Sequence, residues 1–105
     1  MSEGLDRLFA TVAARKGADP TQSYTAKLLA QGVEKCAKKF GEEATETVIA
    51  AIQQDKTELA KESADVLYHL AVLWAASGIT PEDVYAVLKS RETMSGLEEK
   101  ASRKG

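Results

Sequence analysis

The sequence lacks several features on which other protein classes depend. A single cysteine, Cys36, among 105 residues excludes an internal disulfide framework. The longest apolar run, at residues 70–76, is too short to cross a bilayer, and the amino-terminal residues lack the apolar core of a signal peptide. A net charge of -2 and an isoelectric point near 5.4 provide no basic field of the kind that nucleic-acid binders use. We therefore expect a soluble, cytoplasmic protein with no nucleic-acid partner and no membrane partner.

The chain also lacks alternating apolar and polar residues, a glycine-rich phosphate loop and internal repeats, and this leaves an all-α fold. Its 105 residues suit one domain, residues 1–105, with a single small core that favours pairing with a second copy. We predict a helical bundle of four to five helices, followed by a mobile tail at residues 95–105. The predicted helix starts are Ser2, Ser23 or else Asp19 with Pro20, Asp55 with Glu58, and Thr80 with Pro81.

Two pairs of acidic residues are placed symmetrically about a predicted turn. Glu43 and Glu46 are three residues apart, as are Glu62 and Asp65, so each pair projects from one face of its helix. The polar residues 54–56 separate two helical patterns, which predicts an antiparallel hairpin. Because the two pairs are equally far from that turn, all four carboxylates should lie roughly 12 to 17 Å from it. The sequence therefore predicts that the four acids meet at one level of the hairpin.

These acids border faces that we expect to be buried. Glu43 lies three residues after Phe40, and Glu62 lies three residues after Leu59. Burying unpaired carboxylates is costly, so the cluster needs either lysine and arginine partners or divalent metals with oxygen ligands. An ordinary solvated acidic edge is the remaining alternative, since glutamate is common in helices.

Each helix of the hairpin carries an apolar stripe that we expect to face the core. The first stripe comprises Val33, Cys36, Ala37, Phe40, Ala44, Val48, Ala51 and Ile52. The second comprises Leu59, Ser63, Val66, Leu67, Leu70, Leu73 and Trp74. Gly41 interrupts the first helix, where glycine is unfavourable by roughly 0.5 to 1 kcal/mol relative to alanine. We interpret Gly41 as a position of close approach to the backbone just before the acids.

The type of ligand favours a hard divalent metal. Four carboxylates at one level suit Mg²⁺, with Mn²⁺ as an alternative, because these ions prefer oxygen ligands. A di-iron site requires Glu-x-x-His pairs, whereas the only histidine, His69, lies four residues after Asp65. His69 shares a helix face with the acids, so it either orients a carboxylate, contacts a ligand or is a plain structural histidine.

Basic and aromatic residues near the acids predict a site for a polyphosphate. Lys39 lies four residues before Glu43, Lys27 lies in the preceding short helix, and Arg91 follows the last apolar pattern. Metal ions flanked by such cations neutralise phosphate groups. The alternatives are that the lysines form a solvated helix face and that Arg91 is a charge partner at a helix end. Tyr24 either stacks on a base or packs within the protein.

Four segments carry a resemblance to a known family. Residues 23–29 (SYTAKLL), 39–46 (KFGEEATE), 62–69 (ESADVLYH) and 95–100 (SGLEEK) resemble phosphoribosyl-ATP pyrophosphohydrolase, the second enzyme of histidine biosynthesis. The acid pairs alone indicate only the wider all-α nucleoside triphosphate pyrophosphohydrolase superfamily, which includes MazG-like and dimeric dUTPase proteins. The resemblance implies a Mg²⁺-dependent homodimer with a four-helix-bundle core. It also implies that Glu43, Glu46, Glu62 and Asp65 are the metal ligands, with Glu42 as their neighbour.

The resulting hypothesis is hydrolysis of phosphoribosyl-ATP to phosphoribosyl-AMP and pyrophosphate, with a metal-bound water as nucleophile. Glu43 or Glu46 would accept the proton of that water. The candidate substrate-binding residues are Tyr24, Lys27, Lys39, His69 and Arg91. One alternative keeps the chemistry and changes the substrate to another nucleoside triphosphate, as in MazG-like housekeeping enzymes. The other alternative is a noncatalytic helical dimerisation module whose acids form salt bridges.

Overall fold

The computed structural model describes residues 3–92, and within that range it contains helices and no strands. The helices are α1 (Glu3–Ala13), α2 (Tyr24–Gln31), α3 (Val33–Ile52), α4 (Lys56–Ser77) and α5 (Pro81–Ser90). The predicted all-α class is confirmed. The predicted cap at Ser2, the tail at residues 95–105 and the segment 95–100 lie outside the described residues. No helix in the described range is both long and apolar enough to cross a membrane.

Local capping interactions explain where the helices begin and end. Ser23 accepts a hydrogen bond from a first-turn N–H of α2, which decides between the two starts predicted there, and Asp55 caps α4 in the same way. Thr80 and Asp83 form a reciprocal capping box at α5, with a proline in its first turn. Gly78 ends α4 in the left-handed region, at φ 80°, where glycine is favoured.

The two longest helices, α3 and α4, form the predicted antiparallel hairpin. A short turn at residues 53–55 joins them, so that Thr47 lies beside Glu62, and Glu43 lies beside His69. The Thr47 hydroxyl lies 3.2 Å from the carbonyl oxygen of Glu62 and links the two helices directly. This hairpin carries both predicted acid pairs.

The hydrophobic core lies at the end of the hairpin that is remote from its turn. There α1 and α2 cover the beginning of α3 and the end of α4. The core residues are Val12, Leu28, Cys36, Ala71, Val72 and Ala75. Cys36 is buried, as its place on an apolar stripe predicts, and its thiol donates a hydrogen bond to the Leu28 carbonyl over 3.3 Å. Two further hydrogen bonds join helices. Thr25 on α2 is hydrogen-bonded to Tyr68 on α4, and Tyr85 on α5 donates to Asp6 on α1.

The predicted apolar stripes are only partly buried. The expectation was wrong for residues near the turn, for Val33 at the start of α3, and for the rotation of α4, whose most buried residues, Ala71 and Val72, lie outside the predicted stripe. Val48 is 56% exposed, Ile52 is 75% exposed, and Leu67 on α4 is 48% exposed. The cause is that α1 and α2 cover only the other half, so the stripes continue beyond the core of one chain. We call Val48, Ile49, Ile52 and Leu67 the exposed apolar face.

Candidate active site

Three carboxylates converge between α3 and α4. Glu43 from the middle of α3 and Glu62 and Asp65 from α4 each place one carboxylate oxygen within 4.8 Å of the others. We call these three residues the acid trio. The helical spacing of three residues puts Glu62 and Asp65 on one face, and the hairpin turns that face toward Glu43. The predicted meeting of acids at one level is thus present for three of the four.

The fourth predicted acid, Glu46, lies at the edge of the trio. It is exposed, and its carboxyl group lies close enough to that of Glu43 for the two to share a proton when one of them is protonated. Together with Glu62 it also lines an open cleft beside the trio. The residues that line this cleft are Glu46, Ile49, Ala50, Gln53, Glu58 and Glu62. Glu46 is therefore placed to contact whatever the trio binds.

The charges of the trio are poorly compensated by the described residues. Burial raises the pKa of Glu43, and the hydrogen bond to Glu46 and the neighbouring acids raise it further. Burial also raises the pKa of Glu62, with additional contributions from the charges of Glu46 and Asp65. The Oε2 atom of Glu62 is buried and has no hydrogen-bond partner among the described residues. This arrangement favours a bound cation, which would neutralise all these oxygens at once.

The donor set fits a hard divalent metal. All ligand atoms that the trio offers are carboxylate oxygens, which Mg²⁺ and Mn²⁺ prefer. The softer candidate ligand, the thiol of Cys36, is buried in the core with a carbonyl partner. The trio includes no histidine: Nε2 of His69 lies 3.9 Å from Oε1 of Glu43, but His69 is not among the residues whose ligand atoms all meet within 4.8 Å. The oxygen ligands therefore suit a divalent metal, and the choice of Mg²⁺ over iron stays a prediction.

An aromatic group lies next to the trio. His69 is buried, and its ring meets that of Tyr68 edge-on with 4.9 Å between centroids and that of Tyr24 edge-on at 6.5 Å. Tyr24 is 54% exposed, so its ring is available to a ligand. Burial lowers the pKa of His69, and the nearby charge of Lys39 lowers it further, which keeps the imidazole neutral at pH 7.

The predicted cations are distributed unevenly. The ammonium nitrogen of Lys39 lies 3.4 Å from Oε1 of Glu42, and this hydrogen bond raises the lysine pKa. Lys27 is exposed on α2. Arg91 caps α5 and lines an apolar groove along that helix rather than the cleft beside the trio. The structure thus places Lys39 on the acid-bearing helix, whereas a role for Arg91 in phosphate binding stays a prediction.

Sequence reasoning missed two residues that contact the site. The carboxylate of Glu58 lies close enough to that of Glu62 to act on its charge, and it lines the same cleft. Its spacing of four residues before Glu62 was a signal for a shared face. Thr47 contacts the backbone of both helices at the level of the acids. No pattern in the sequence distinguishes it from Thr45, two residues earlier.

Comparison with known proteins identifies the family. Residues 5–92, which include the whole acid trio, match the sequence model of the phosphoribosyl-ATP pyrophosphohydrolase family. The chain belongs to this family. The resemblance inferred from four short segments is thereby confirmed over most of the chain.

Individual members of the family are similar over nearly their full length. A protein of Cereibacter sphaeroides named phosphoribosyl-ATP pyrophosphatase is 62% identical over 94% of this chain and 96% of its own. A protein of Parvibaculum lavamentivorans with the same name is 64% identical over 94% of this chain and 91% of its own. One from Paracoccus denitrificans is 60% identical, over 96% of this chain and 94% of its own.

Proposed function

We propose that this chain hydrolyses phosphoribosyl-ATP to phosphoribosyl-AMP and pyrophosphate, the second step of histidine biosynthesis, and that it does so in the cytoplasm. Family membership supports the substrate and the reaction. The observation that carries the chemistry is the convergence of Glu43, Glu62 and Asp65 on one point between α3 and α4. Such a cluster suits a reaction in which negative charge on phosphate oxygens must be neutralised.

The acid trio would hold Mg²⁺, or Mn²⁺ in its place. Its oxygens match the preference of these ions, and the buried Oε2 of Glu62 has no other partner among the described residues. When bound, the ion would neutralise phosphate charge and make water a better nucleophile at neutral pH. Glu46, at the edge of the trio, would either complete the ligand set or accept a proton. We favour proton acceptance, because a carboxylate that ligates a metal is a weaker base than a free one.

The surrounding residues would bind and orient the nucleotide. Tyr24 presents an exposed ring whose edge contact with buried His69 holds it in place, and it would stack on the base. Lys39 and Lys27 would contact the phosphates, and Lys39 would exchange its Glu42 partner for a more highly charged one. The cleft beside the trio would admit the polyphosphate chain.

A second copy of the chain would cover the exposed apolar face. Val48, Ile49 and Ile52 are neighbours on α3, and 48% to 75% of each is exposed. Together with Leu67 on α4 they continue the apolar stripes of both helices past the core. Contiguous apolar surface of this kind marks an interaction site. We therefore propose a homodimer in which two hairpins pack as a four-helix bundle.

The decisive experiment compares substrates and removes one ligand. Pyrophosphate release should be faster with phosphoribosyl-ATP than with ordinary nucleoside triphosphates, and chelation by EDTA should abolish it. The variant Glu43→Gln should lose at least about 100-fold in turnover, since even residues that only orient metal ligands contribute 10- to 100-fold. Glu42→Gln is the matched control, because Glu42 lies next in sequence but is paired with Lys39 outside the trio.

Other outcomes would redirect or refute the proposal. A preference for ordinary nucleoside triphosphates would support the MazG-like alternative. Wild-type turnover by Glu43→Gln would contradict a role for the trio. If Mg²⁺ neither bound nor raised the melting temperature, the acids would be structural, since a ligand that binds only the folded chain must stabilise it.

A further inference from the structure

The hydroxyl group of Thr47 lies between the two helices at the level of the acid trio. Its Oγ1 atom is 2.9 Å from the carbonyl oxygen of Glu43, one turn earlier on α3. The same atom is 3.2 Å from the carbonyl oxygen of Glu62 on α4. A hydroxyl has one proton to donate, so the two carbonyls share it or compete for it. Both acceptors belong to residues whose carboxylates are in the trio.

The contact within α3 is common and carries no inference by itself. Threonine in a helix often donates to the carbonyl four residues earlier, and Thr45 does so toward Gly41 over 3.0 Å. Thr47 differs from Thr45 because its second acceptor lies on another helix. Among the described residues, that contact is the one side-chain hydrogen bond between α3 and α4, and with the contact to Glu43 it joins the backbones of two trio members.

A bridge between these two backbone positions controls how far apart the side chains can be. The hydroxyl oxygen of Thr47 contacts the backbone carbonyl groups of both Glu43 and Glu62. The carboxylate oxygens of the same two residues lie within 4.8 Å of each other. If the bridge is lost, α3 and α4 can slide or separate at this level. The carboxylates would then have to follow, because each is attached to its helix by only a short side chain.

We propose that Thr47 is a positioning residue that fixes the separation of the Glu43 and Glu62 carboxylates and so favours a small divalent cation over a large one. This inference rests on the proposed function, because it assumes that the trio binds a metal. The two relevant ions differ in tolerance. Mg²⁺ requires oxygens at about 2.0 to 2.1 Å in near-octahedral geometry, whereas Ca²⁺ accepts about 2.3 to 2.6 Å and irregular geometry. A loosened pair of helices should therefore harm Mg²⁺ binding more than Ca²⁺ binding.

Three variants of the full-length chain test the inference by isothermal titration calorimetry with Mg²⁺ and with Ca²⁺. Thr47→Val keeps the side-chain shape and removes the donor, Thr47→Ser keeps the donor, and Thr45→Val removes a contact that stays within α3. We expect Thr47→Val to weaken Mg²⁺ binding about tenfold, as loss of other groups that orient metal ligands does, with a smaller effect on Ca²⁺. Thr47→Ser and Thr45→Val should keep the wild-type ratio of the two affinities.

The possible results separate this inference from the proposed function. Unchanged Mg²⁺ affinity in Thr47→Val, with wild-type protein binding Mg²⁺ normally, would overturn the role of Thr47 and leave the proposed function intact. Equal losses for both ions would also overturn it, because a general loss of stability does not discriminate between ions. Wild-type protein that binds neither ion would overturn the proposed function and this inference together.

Discussion

The imidazole Nε2 of His69 lies 3.9 Å from the Oε1 atom of Glu43. This separation exceeds that of a hydrogen bond, and the lowered pKa of the buried imidazole keeps it neutral at pH 7. His69 therefore does not neutralise Glu43 as an ion pair would. Its imidazole nevertheless lies beside the trio, and hydrogen bonds in ligand-free sites often shorten when the ligand binds.

Replacing the imidazole tests whether it orients Glu43. His69→Phe keeps a ring to pack between Tyr24 and Tyr68 but removes the nitrogen that faces the carboxylate. We expect turnover to fall about tenfold, the lower end of the range for residues that orient metal ligands, with little change in melting temperature. Steady-state kinetics and a thermal melt measure the two effects. Wild-type turnover would show that His69 serves packing alone.

The raised pKa values of Glu43 and Glu62 predict how the stability of the metal-free chain depends on pH. Glu43 and Glu62 bind their protons more tightly in the folded chain than the ordinary value of 4.5 implies. Below that pH both states are protonated and there is no penalty. As the pH rises from 4.5 through the raised pKa values, these groups ionise more readily in the unfolded chain than in the folded chain, so this contribution to stability is lost.

The difference between wild type and Glu43→Gln reports on this acid cluster, because the titrating groups elsewhere in the chain are the same in both proteins. In EDTA, the melting temperature of Glu43→Gln should exceed that of wild type by an amount that grows from about pH 4.5 toward neutrality. Added Mg²⁺ should then raise the melting temperature of wild type far more than that of the variant. A constant difference across this pH range would contradict the strain that the structure indicates among these carboxylates.

The sequence predicts most of this fold because its signals are local. Capping residues such as Asp55 and Thr80 act within one turn of the helix, so their effect is visible in a few neighbouring residues. The proximity of Glu43 and Glu62 follows from the similar number of residues that separates each of them from the turn, and this number can be counted in the sequence. Family membership was predicted correctly from four short segments.

The remaining features depend on contacts that the chain order does not encode. Residues 70–76 are apolar on all sides, so the pattern could not decide that Ala71 and Val72 are the most deeply buried of them. Glu46 follows the same three-residue spacing as Asp65 but lies at the edge of the trio, because the rotation of α3 about its axis sets which acid points inward. The role of Thr47 could be recognised only from the distance between its hydroxyl oxygen and the Glu62 carbonyl oxygen on α4.

The exposed apolar face predicts that a single charge there prevents dimer formation. Ile52 is 75% exposed and lies next to the turn, so Ile52→Lys should be tolerated by the folded monomer. The buried ammonium would be unpaired in a dimer, which costs several kcal/mol. Sedimentation velocity should show a dimer for wild type and a monomer for the variant. Thr57→Lys, an equally charged change at an exposed position near the same turn, should remain dimeric.

The described part of the chain does not explain the presence of Gly41. It lies within α3, and a Cβ atom placed there would meet nothing within 4 Å among the described residues. The predicted close approach is therefore not made by this part of the chain, although helical glycine is unfavourable by roughly 0.5 to 1 kcal/mol relative to alanine. Gly41→Ala should raise the free energy of unfolding by about that amount, which denaturant titration measures.

If substrate approaches the Gly41 backbone closely, Gly41→Ala should change stability and activity in opposite directions. Gly41 lies between Lys39 and Glu43, so a phosphate bound by the lysine and the trio would pass near its backbone. We expect Gly41→Ala to raise KM while stabilising the chain. Gly4→Ala is the matched control, because Gly4 is also helical and also has open space around it, but lies on α1. If both variants kept the wild-type KM, then substrate would not approach the Gly41 backbone closely.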